Sequence, residues 1–363
     1  MNRPTVLLVY GGHNSEHGVS CLTAAAVLGA INRERYEVVP VGITRQGHWT
    51  LVPIEQAAAM ATIDNRLPEV DPAGTEVVLL PGGRLIRVGD GEQVAAVDVA
   101  FTLLHGPYGE DGTIQGQLEM AGVRYVGSGV AASALGMDKA LMKTTFAHHG
   151  IPQGPWWLVT DADWTFRRQQ TLAKVSELGL PLFVKPARAG SSIGISKVDD
   201  LAALPDAIET AREHDPRVVV EAGLPDVREI ECAVLQGRPG EPTRTSLVGE
   251  VRMLNDGWYD FEAKYLPGEQ VALDIPATIE EDLQRRVQEV AARAFEVLGA
   301  EGLSRVDTFV TADGQVLVNE INTMPGFTQY SMYPSLWQAT GLAYPDLIDE
   351  LLDLALQRPL GLR

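Results

Sequence analysis

The sequence predicts an α/β (α+β) protein, and three observations carry that prediction. Short apolar strands alternate with helical segments through the first third of the chain. Glycine-rich loops follow those strands. Near the C-terminus, Asp313-Gly314 separates two strand-like runs as a hairpin turn does.

Taken in order, residues 6–10 read as a short buried strand that ends at Gly11-Gly12. Residues 19–31 are apolar and alanine-rich, as a helix favours. Residues 36–43 and 97–104 read as strands, and Thr113–Ala121 as a helix. This alternation builds a parallel sheet with helices on its faces, whose ligands gather at the loops after the strands' carboxyl ends. Residues 13–17 and 105–112 occupy such loops. A second unit begins near Val130, with one helix over 131–149 and a strand at 181–185. A Gly/Ser loop at 189–194, a strand at 195–198, a helix at 202–214 and a strand at 218–221 follow. The last part has strands at 230–235 and 246–251, a long loop at 253–270, a helix at 279–298, the hairpin and a helix at 346–356. A loop of that length inside a compact domain is as a rule functional or disordered.

Composition narrows the function classes. The 363 residues suffice for two or three compact units, and 45% hydrophobic with 21% charged residues is an ordinary globular balance. No apolar run approaches the roughly 18–20 residues that cross a bilayer. The apolar stretch at 6–10 is too short for a secretory signal, so a cytoplasmic location is expected. A net charge of −19 disfavours nucleic acid and anionic membranes as partners. It also means that a polyanion site must gather its cations locally. Cys21 and Cys232 are too few for a disulfide framework and lack metal-ligand spacing, so free thiols are expected. Trp156-Trp157 reads as core.

The sharpest inference concerns residues 303–323, LSRVDTFVTADGQVLVNEINT. With Asp313-Gly314 as a two-residue turn, Ala312 faces Gln315, Asp307 lies opposite Glu320, and Arg305 opposite Asn322. Alternation points all four side chains from one face. Two carboxylates and an amide, with no His or Cys, suit Mg²⁺. A solvated strand face with cross-strand charge pairs fits the same residues equally well. A bulge would shift the register by one residue and undo the arrangement.

Lys185 ends a strand and precedes PARAGSSIG, a loop whose backbone N–H groups can close over phosphates. A plain β-hairpin explains it too. Lys139 is a second phosphate cation or an exposed helix lysine. The strand before Ala222–Leu224 can line an adenine pocket, though nothing in those residues forces it. Glu16 and His17 also suit a helix N-terminus capped by Ser15 or Asn14.

Together these segments resemble the D-alanine–D-alanine ligase family of the ATP-grasp superfamily. The motifs run in order through most of the chain: GGHNSEHGVS (11–20), HGPYGEDGTIQG (105–116), YVGSGVAASALGMDK (125–139), VKPARAGSSIGISKV (184–198), YDFEAKY (259–265), and SRVDTFV with NEINTMPGFTQYSMYP between 304 and 334. The resemblance implies a Rossmann-like N-terminal domain over 1–129, then a two-domain ATP-grasp fold. Its central domain is 130–222, and its C-terminal domain is 223–363 with a mobile loop at 253–270. It implies an ATP-dependent ligase that makes D-alanyl-D-alanine for peptidoglycan precursor synthesis.

By the same resemblance, Lys139 and Lys185 meet ATP phosphates, Ser192 binds the nucleotide, and Glu221, Leu224 and Glu229 meet adenosine. Asp307, Glu320 and Asn322 hold two Mg²⁺ ions, with Mn²⁺ as a substitute. Arg305 is the catalytic arginine, and Lys264 meets the transferred phosphate. Glu16, Ser191 and Tyr265 orient the first substrate, beside His105. Ser331 and Met332 cradle the second substrate's carboxylate. Ala222 stands where some members carry lysine, which leaves base contacts there to the backbone. Some relatives use D-lactate or D-serine second, and YDFEAKY with Tyr265 favours D-alanine. A homodimer is implied by the resemblance alone. A catalytically silent nucleotide-binding protein is disfavoured by the intact set Lys185, Lys264, Arg305, Asp307, Glu320 and Asn322.

Overall fold

A computed structural model describes residues 3–64, 66–190, 193–254 and 271–361. Ser191, Ser192, Lys264, Tyr265 and residues 255–270 of the long loop lie outside the described residues.

The first sheet holds eight strands: β1 (Thr5–Gly11), β2 (Glu37–Ile43), β3 (Trp49–Leu51), β4 (Thr75–Leu80), β5 (Arg84–Arg87), β6 (Gln93–Ala96), β7 (Val99–Thr102) and β8 (Arg124–Tyr125), in the order β6-β5-β4-β3-β2-β1-β7-β8. Strands β2, β1 and β7 are parallel as expected, β8 joins them in parallel without having been expected, and β3 to β6 extend the sheet antiparallel. Their short, mixed runs carry no clean alternation, which hides them in the sequence. Strand β1 is buried on both faces, as parallel strands are. Val6, Leu8 and Tyr10 pack toward α1 (His17–Ala30), and Leu7 and Val9 toward α3 (Thr113–Ala121).

The expected single helix at 131–149 is two helices, α4 (Val130–Met137) and α5 (Lys139–His148). Asp138 breaks them. Its backbone is extended, and its carboxylate caps α5 by accepting from Ala140 N–H and Leu141 N–H, each at 3.0 Å. The second sheet is antiparallel, β11-β10-β12-β9, from β9 (Trp156–Val159), β10 (Leu182–Pro186), β11 (Ser196–Val198) and β12 (Val218–Ala222). Trp156-Trp157 belongs to its edge strand rather than to the core, and Trp157 is exposed.

The third sheet is antiparallel, β15-β14-β13-β16-β17, from β13 (Arg228–Leu235), β14 (Arg244–Met253), β15 (Val271–Asp274), β16 (Leu303–Val310) and β17 (Val316–Asn322). Helix α9 (Glu281–Leu298) covers one face with Val287, Ala291, Ala294, Phe295 and Leu298, a helical apolar stripe. Helix α10 (Met332–Thr340) packs on β13 and β14. The last helix, α11 (Tyr344–Gln357), returns to the first sheet, where Leu347, Leu351 and Leu354 share a core with Val6 and Leu8.

The hairpin differs from expectation in two places that cancel. Its loop has three residues, Ala312 to Gly314, closed by Thr311 N–H to the Gln315 carbonyl at 3.0 Å. Gly314 has φ +80°, a left-handed conformation that glycine adopts without strain. That turn shifts the pairing by one, so Thr308 faces Val318. A bulge at Asn319 shifts it back, and Asp307 faces Glu320 and Arg305 faces Asn322.

Candidate active site

A cleft of about 360 Å³ lies between the second and third sheets, closed at one end by loops of the first. Its two walls grow from strand alternation. Strand β13 turns Ile230, Cys232 and Val234 toward α9, and Glu229 and Glu231 toward the cleft. Strand β16 does the same with Arg305, Asp307 and Phe309, and β17 with Glu320 and Asn322. Because Glu231 pairs with Asp307 and Asp307 with Glu320, three carboxylates form a row across three strands. Arg305 grips Asp307 bidentately, with two contacts of 2.7 Å, and reaches Glu231 at 2.9 Å. Asn322 donates to Asp307 at 3.0 Å. Asp307 and Glu231 are buried. Glu320 is half-buried, and the oxygen donors of Asp307, Glu320 and Asn322 are hard, the kind a small divalent metal takes.

The opposite wall is cationic. Glu221 of β12 sits between the ammonium groups of Lys185 of β10, at 2.6 Å, and Lys143 of α5, at 2.8 Å. Burial alone would raise the Glu221 carboxyl, but Lys143 and Lys185 outweigh it and hold it well below the usual range. Burial alone would lower Lys185, but Glu221, with Glu320 and Glu229, keeps its ammonium above the ordinary value. Lys139 donates to the Ala189 carbonyl at 2.9 Å and lies 3.4 Å from Glu320, between the two walls. The capped start of α5 makes this possible, since Lys139 and Lys143 are four residues apart and share a helix face. Leu224, Val227, Phe183 and Phe309 form an apolar stretch of the same cleft, suited to a flat base.

At the closed end, Glu16 is buried at the start of α1. A Cβ at Gly106 would lie 2.1 Å from its Oε2, and one at Gly190 2.8 Å, so two loops press their backbones against the carboxylate. Glu16 serves no capping bond for α1, and Asn14 instead accepts from Glu16 N–H at 2.9 Å while donating to the His105 and Pro107 carbonyls. His105 is buried, and burial lowers its imidazole against the opposing pull of Glu16. Its Nδ1 lies 3.0 Å from the Met324 carbonyl, which only accepts, so Nδ1 carries a proton. Ser331 precedes α10 without capping it, and its hydroxyl meets Thr328. Neither Ser331 nor Met332 lines the cleft: Ser331 sits behind Gly326, and the Met332 side chain packs in the core near Gly249.

Among the described candidates, Glu16, His105, Lys139, Lys185, Glu221, Leu224, Glu229, Arg305, Asp307, Glu320 and Asn322 converge on this one cleft. Two of its charged residues, Glu231 and Glu110, escaped the sequence, as did Lys143 buried behind Glu221. Lys143 stands four residues after Lys139, and Glu231 two after Glu229, so helical and strand periods pointed to both. Glu110 lies inside HGPYGEDGTIQG. Burial, then the nearby Glu16 charge, pushes its carboxyl up to about 8.

Fold and cleft define an ATP-grasp protein, with two antiparallel sheets closing on a site that is acidic on one side and basic on the other. The family profile described as "D-ala D-ala ligase N-terminus" matches residues 5–128, and "D-ala D-ala ligase C-terminus" matches 145–353. The D-alanine–D-alanine ligase of Arthrobacter sp. (strain FB24) is 52% identical over 369 residues, covering 99% of this chain and 96% of the relative. That of Streptomyces coelicolor is 48% identical, covering 99% and 95%. The solved D-alanine–D-alanine ligase from Coxiella burnetii aligns with TM-score 0.83 at 29% identity, over 99% of this chain and 95% of its own. VanG D-Ala:D-Ser ligase from Enterococcus faecalis aligns with TM-score 0.83 at 33% identity, over 98% and 100%. The chain belongs to the D-alanine–D-alanine ligase family.

Proposed function

We propose that this chain joins two D-alanines in the cleft between the second and third sheets, through an acyl phosphate, releasing ADP and phosphate. It is an ATP-dependent ligase that uses a divalent metal and serves peptidoglycan precursor synthesis. The opposed charge of the two cleft walls is the observation that carries the site assignment. A carboxylate is a poor electrophile, and its attack on an anionic phosphate meets charge repulsion. Lys185 offsets that repulsion on one wall, Arg305 on the other, and Lys139 between them. Asp307, Glu320 and Asn322 hold Mg²⁺, two ions per chain, with Mn²⁺ accepted in its place. The metal neutralises phosphate charge when bound.

Leu224 and Glu229 take the adenosine. Glu221 acts chiefly by holding Lys143 and Lys185 in place, which modifies the direct adenosine contact expected from sequence. Glu16 and His105 orient the first D-alanine, with Ser191 and Tyr265. The second amine attacks the acyl carbon, and Arg305 stabilises the oxyanion that forms. Ser331 and the N-terminus of α10, where Met332 begins the helix, receive the second carboxylate. Lys264 meets the phosphate in transfer, Ser192 the nucleotide, and the loop at 253–270 excludes water. The domains of this reading are 1–129, 130–222 and 223–363. The working unit is a cytoplasmic homodimer. No helix among the described residues is long and apolar enough to cross a membrane.

The test is ADP release with Mg²⁺ and D-alanine, repeated with excess D-lactate or D-serine, with products identified by mass. D-Alanyl-D-alanine as the preferred product supports the reading. A preferred mixed product would change the second substrate, and no D-alanine-dependent release would end the reading. Sedimentation at working concentration tests the dimer, and a monomer would remove it.

A further inference from the structure

Met324 lies in the segment that joins β17 to α10, and the first sheet's 105–112 loop holds both of its backbone polar groups. Glu110 Oε1 accepts from Met324 N–H at 2.8 Å, and His105 Nδ1 donates to the Met324 carbonyl at 3.0 Å. The other Glu110 oxygen, Oε2, accepts from Gly106 N–H at 2.8 Å. One carboxyl group therefore bridges two loops that are 214 residues apart in sequence. We propose that Glu110 is a positioning residue for the second substrate's subsite, fixing the turn from Thr323 to Ser331 against the first-substrate subsite by clamping Met324 together with His105. The inference rests on the ligase reading above.

The clamp is built on a stiff loop. Glu110 N–H and Gly109 N–H both donate to the Gly106 carbonyl, and Asp111 accepts from Tyr108 N–H at 2.9 Å and from Thr113 N–H at 2.9 Å. Asn14 ties the same loop to the start of α1 through the His105 and Pro107 carbonyls, at 2.8 and 2.7 Å. On the other side, Pro325 follows Met324 directly, and the Thr328–Ser331 bonds close the turn before α10 begins. A shift at Met324 is thus passed to Ser331 and the first N–H groups of α10. Two backbone donors approaching from different loops call for a group that accepts at both ends, and a side-chain amide accepts at only one. The site bears a cost for this, because Glu16 and Glu320 both stand near enough to oppose a further negative charge.

The experiment compares Glu110→Ala and the isosteric Glu110→Gln with the wild-type chain, in Mg²⁺ and ATP. It reads KM for each D-alanine, ATP affinity, and deuterium exchange of the peptide containing Met324. Glu110→Ala should raise KM for the second D-alanine on the order of ten- to a hundredfold, the loss of a buried hydrogen-bonded bridge. Exchange at Met324 should rise with it, while ATP affinity stays within about twofold, or about 0.4 kcal/mol at about 1.4 kcal/mol per tenfold. Glu110→Gln, which leaves the bridge open at one end, should fall between. An unchanged second KM with unchanged exchange overturns the proposal. So does a parallel loss of both KM values and of ATP affinity, which would make Glu110 a general structural residue. A wild-type chain with no D-alanine-dependent turnover would defeat the ligase reading instead, and Met324 exchange would still judge the clamp.

Discussion

The two walls of the cleft carry opposite imbalances of charge. On the second sheet and α5, two ammonium groups, Lys143 and Lys185, share one carboxylate, Glu221. On the third sheet, one guanidinium, Arg305, faces the row of Glu231, Asp307 and Glu320. Each wall holds itself together by internal pairs, yet among these described residues cations outnumber carboxylates on the first and carboxylates outnumber cations on the second. Buried charge is costly, and well-packed apolar residues would stabilise such a sheet as well or better. The excess therefore points to ligands of opposite sign, phosphate on one wall and a divalent cation on the other.

The largest test breaks the basic wall. Glu221→Ala leaves two buried ammonium groups without their shared carboxylate, and should cost about 3–5 kcal/mol of folding stability in a denaturant titration. A loss under about 1 kcal/mol would mean that the pairing is incidental. Arg305→Lys tests the acidic wall. Lysine cannot make the bidentate grip on Asp307, and dipeptide formation should fall roughly 10²–10³-fold in kcat. A rate near wild type would remove Arg305 from the chemistry.

Asp307→Asn sharpens the same contrast by removing one charge from the row. The Mg²⁺ concentration for half-maximal activity should rise on the order of tenfold or more, while ATP protection of Lys185 from amine-reactive reagent persists. An unshifted Mg²⁺ dependence would argue that the row serves structure alone.

A smaller effect lies in pH. Glu110 has an ordinary value of 4.5 and is pushed up to about 8 by burial and then by Glu16. Between those values the folded chain keeps a proton that the unfolded chain has released. The stability contributed by this group is therefore complete below about 4.5 and falls as pH rises toward 8. Glu110→Gln should flatten the fall of unfolding free energy with pH in that window. An identical slope in both proteins would place the proton uptake elsewhere. Smallest of all, Gly314→Ala forces a side chain into φ +80° and should cost about 1 kcal/mol. Its Mg²⁺ dependence should not move, because the bulge at Asn319 separates the turn from the acidic row; a shifted dependence would show that the turn sets the register there.

Much of this was legible because strand and helix periods are local. Asp307 opposite Glu320 and Arg305 opposite Asn322 follow from alternation, and they hold in the structure. The route to that pairing differs from the two-residue turn the sequence predicts. The loop has three residues rather than two, and the compensating bulge shows in sequence only as apolar spacing that lengthens from Val316–Val318 to Val318–Ile321. Asp138 was hidden inside an apparently continuous helix, since a cap is a hydrogen bond and leaves no break in apolar period. The antiparallel extension from β3 to β6 was unreadable because its strands are short and half-exposed.

Fold class, family and most of each wall were legible in the chain's own pattern, because these reside in short periodic segments and ordered motifs, whereas Lys143 and Glu231 were not. Which carboxylate pairs with which lysine is set by the packing of the sheets. Packing alone brought Lys143 to Glu221 and Glu231 to Arg305, and Glu110 to the backbone of Met324. Those contacts join elements far apart in the chain, and their strength comes from burial, which no local pattern encodes.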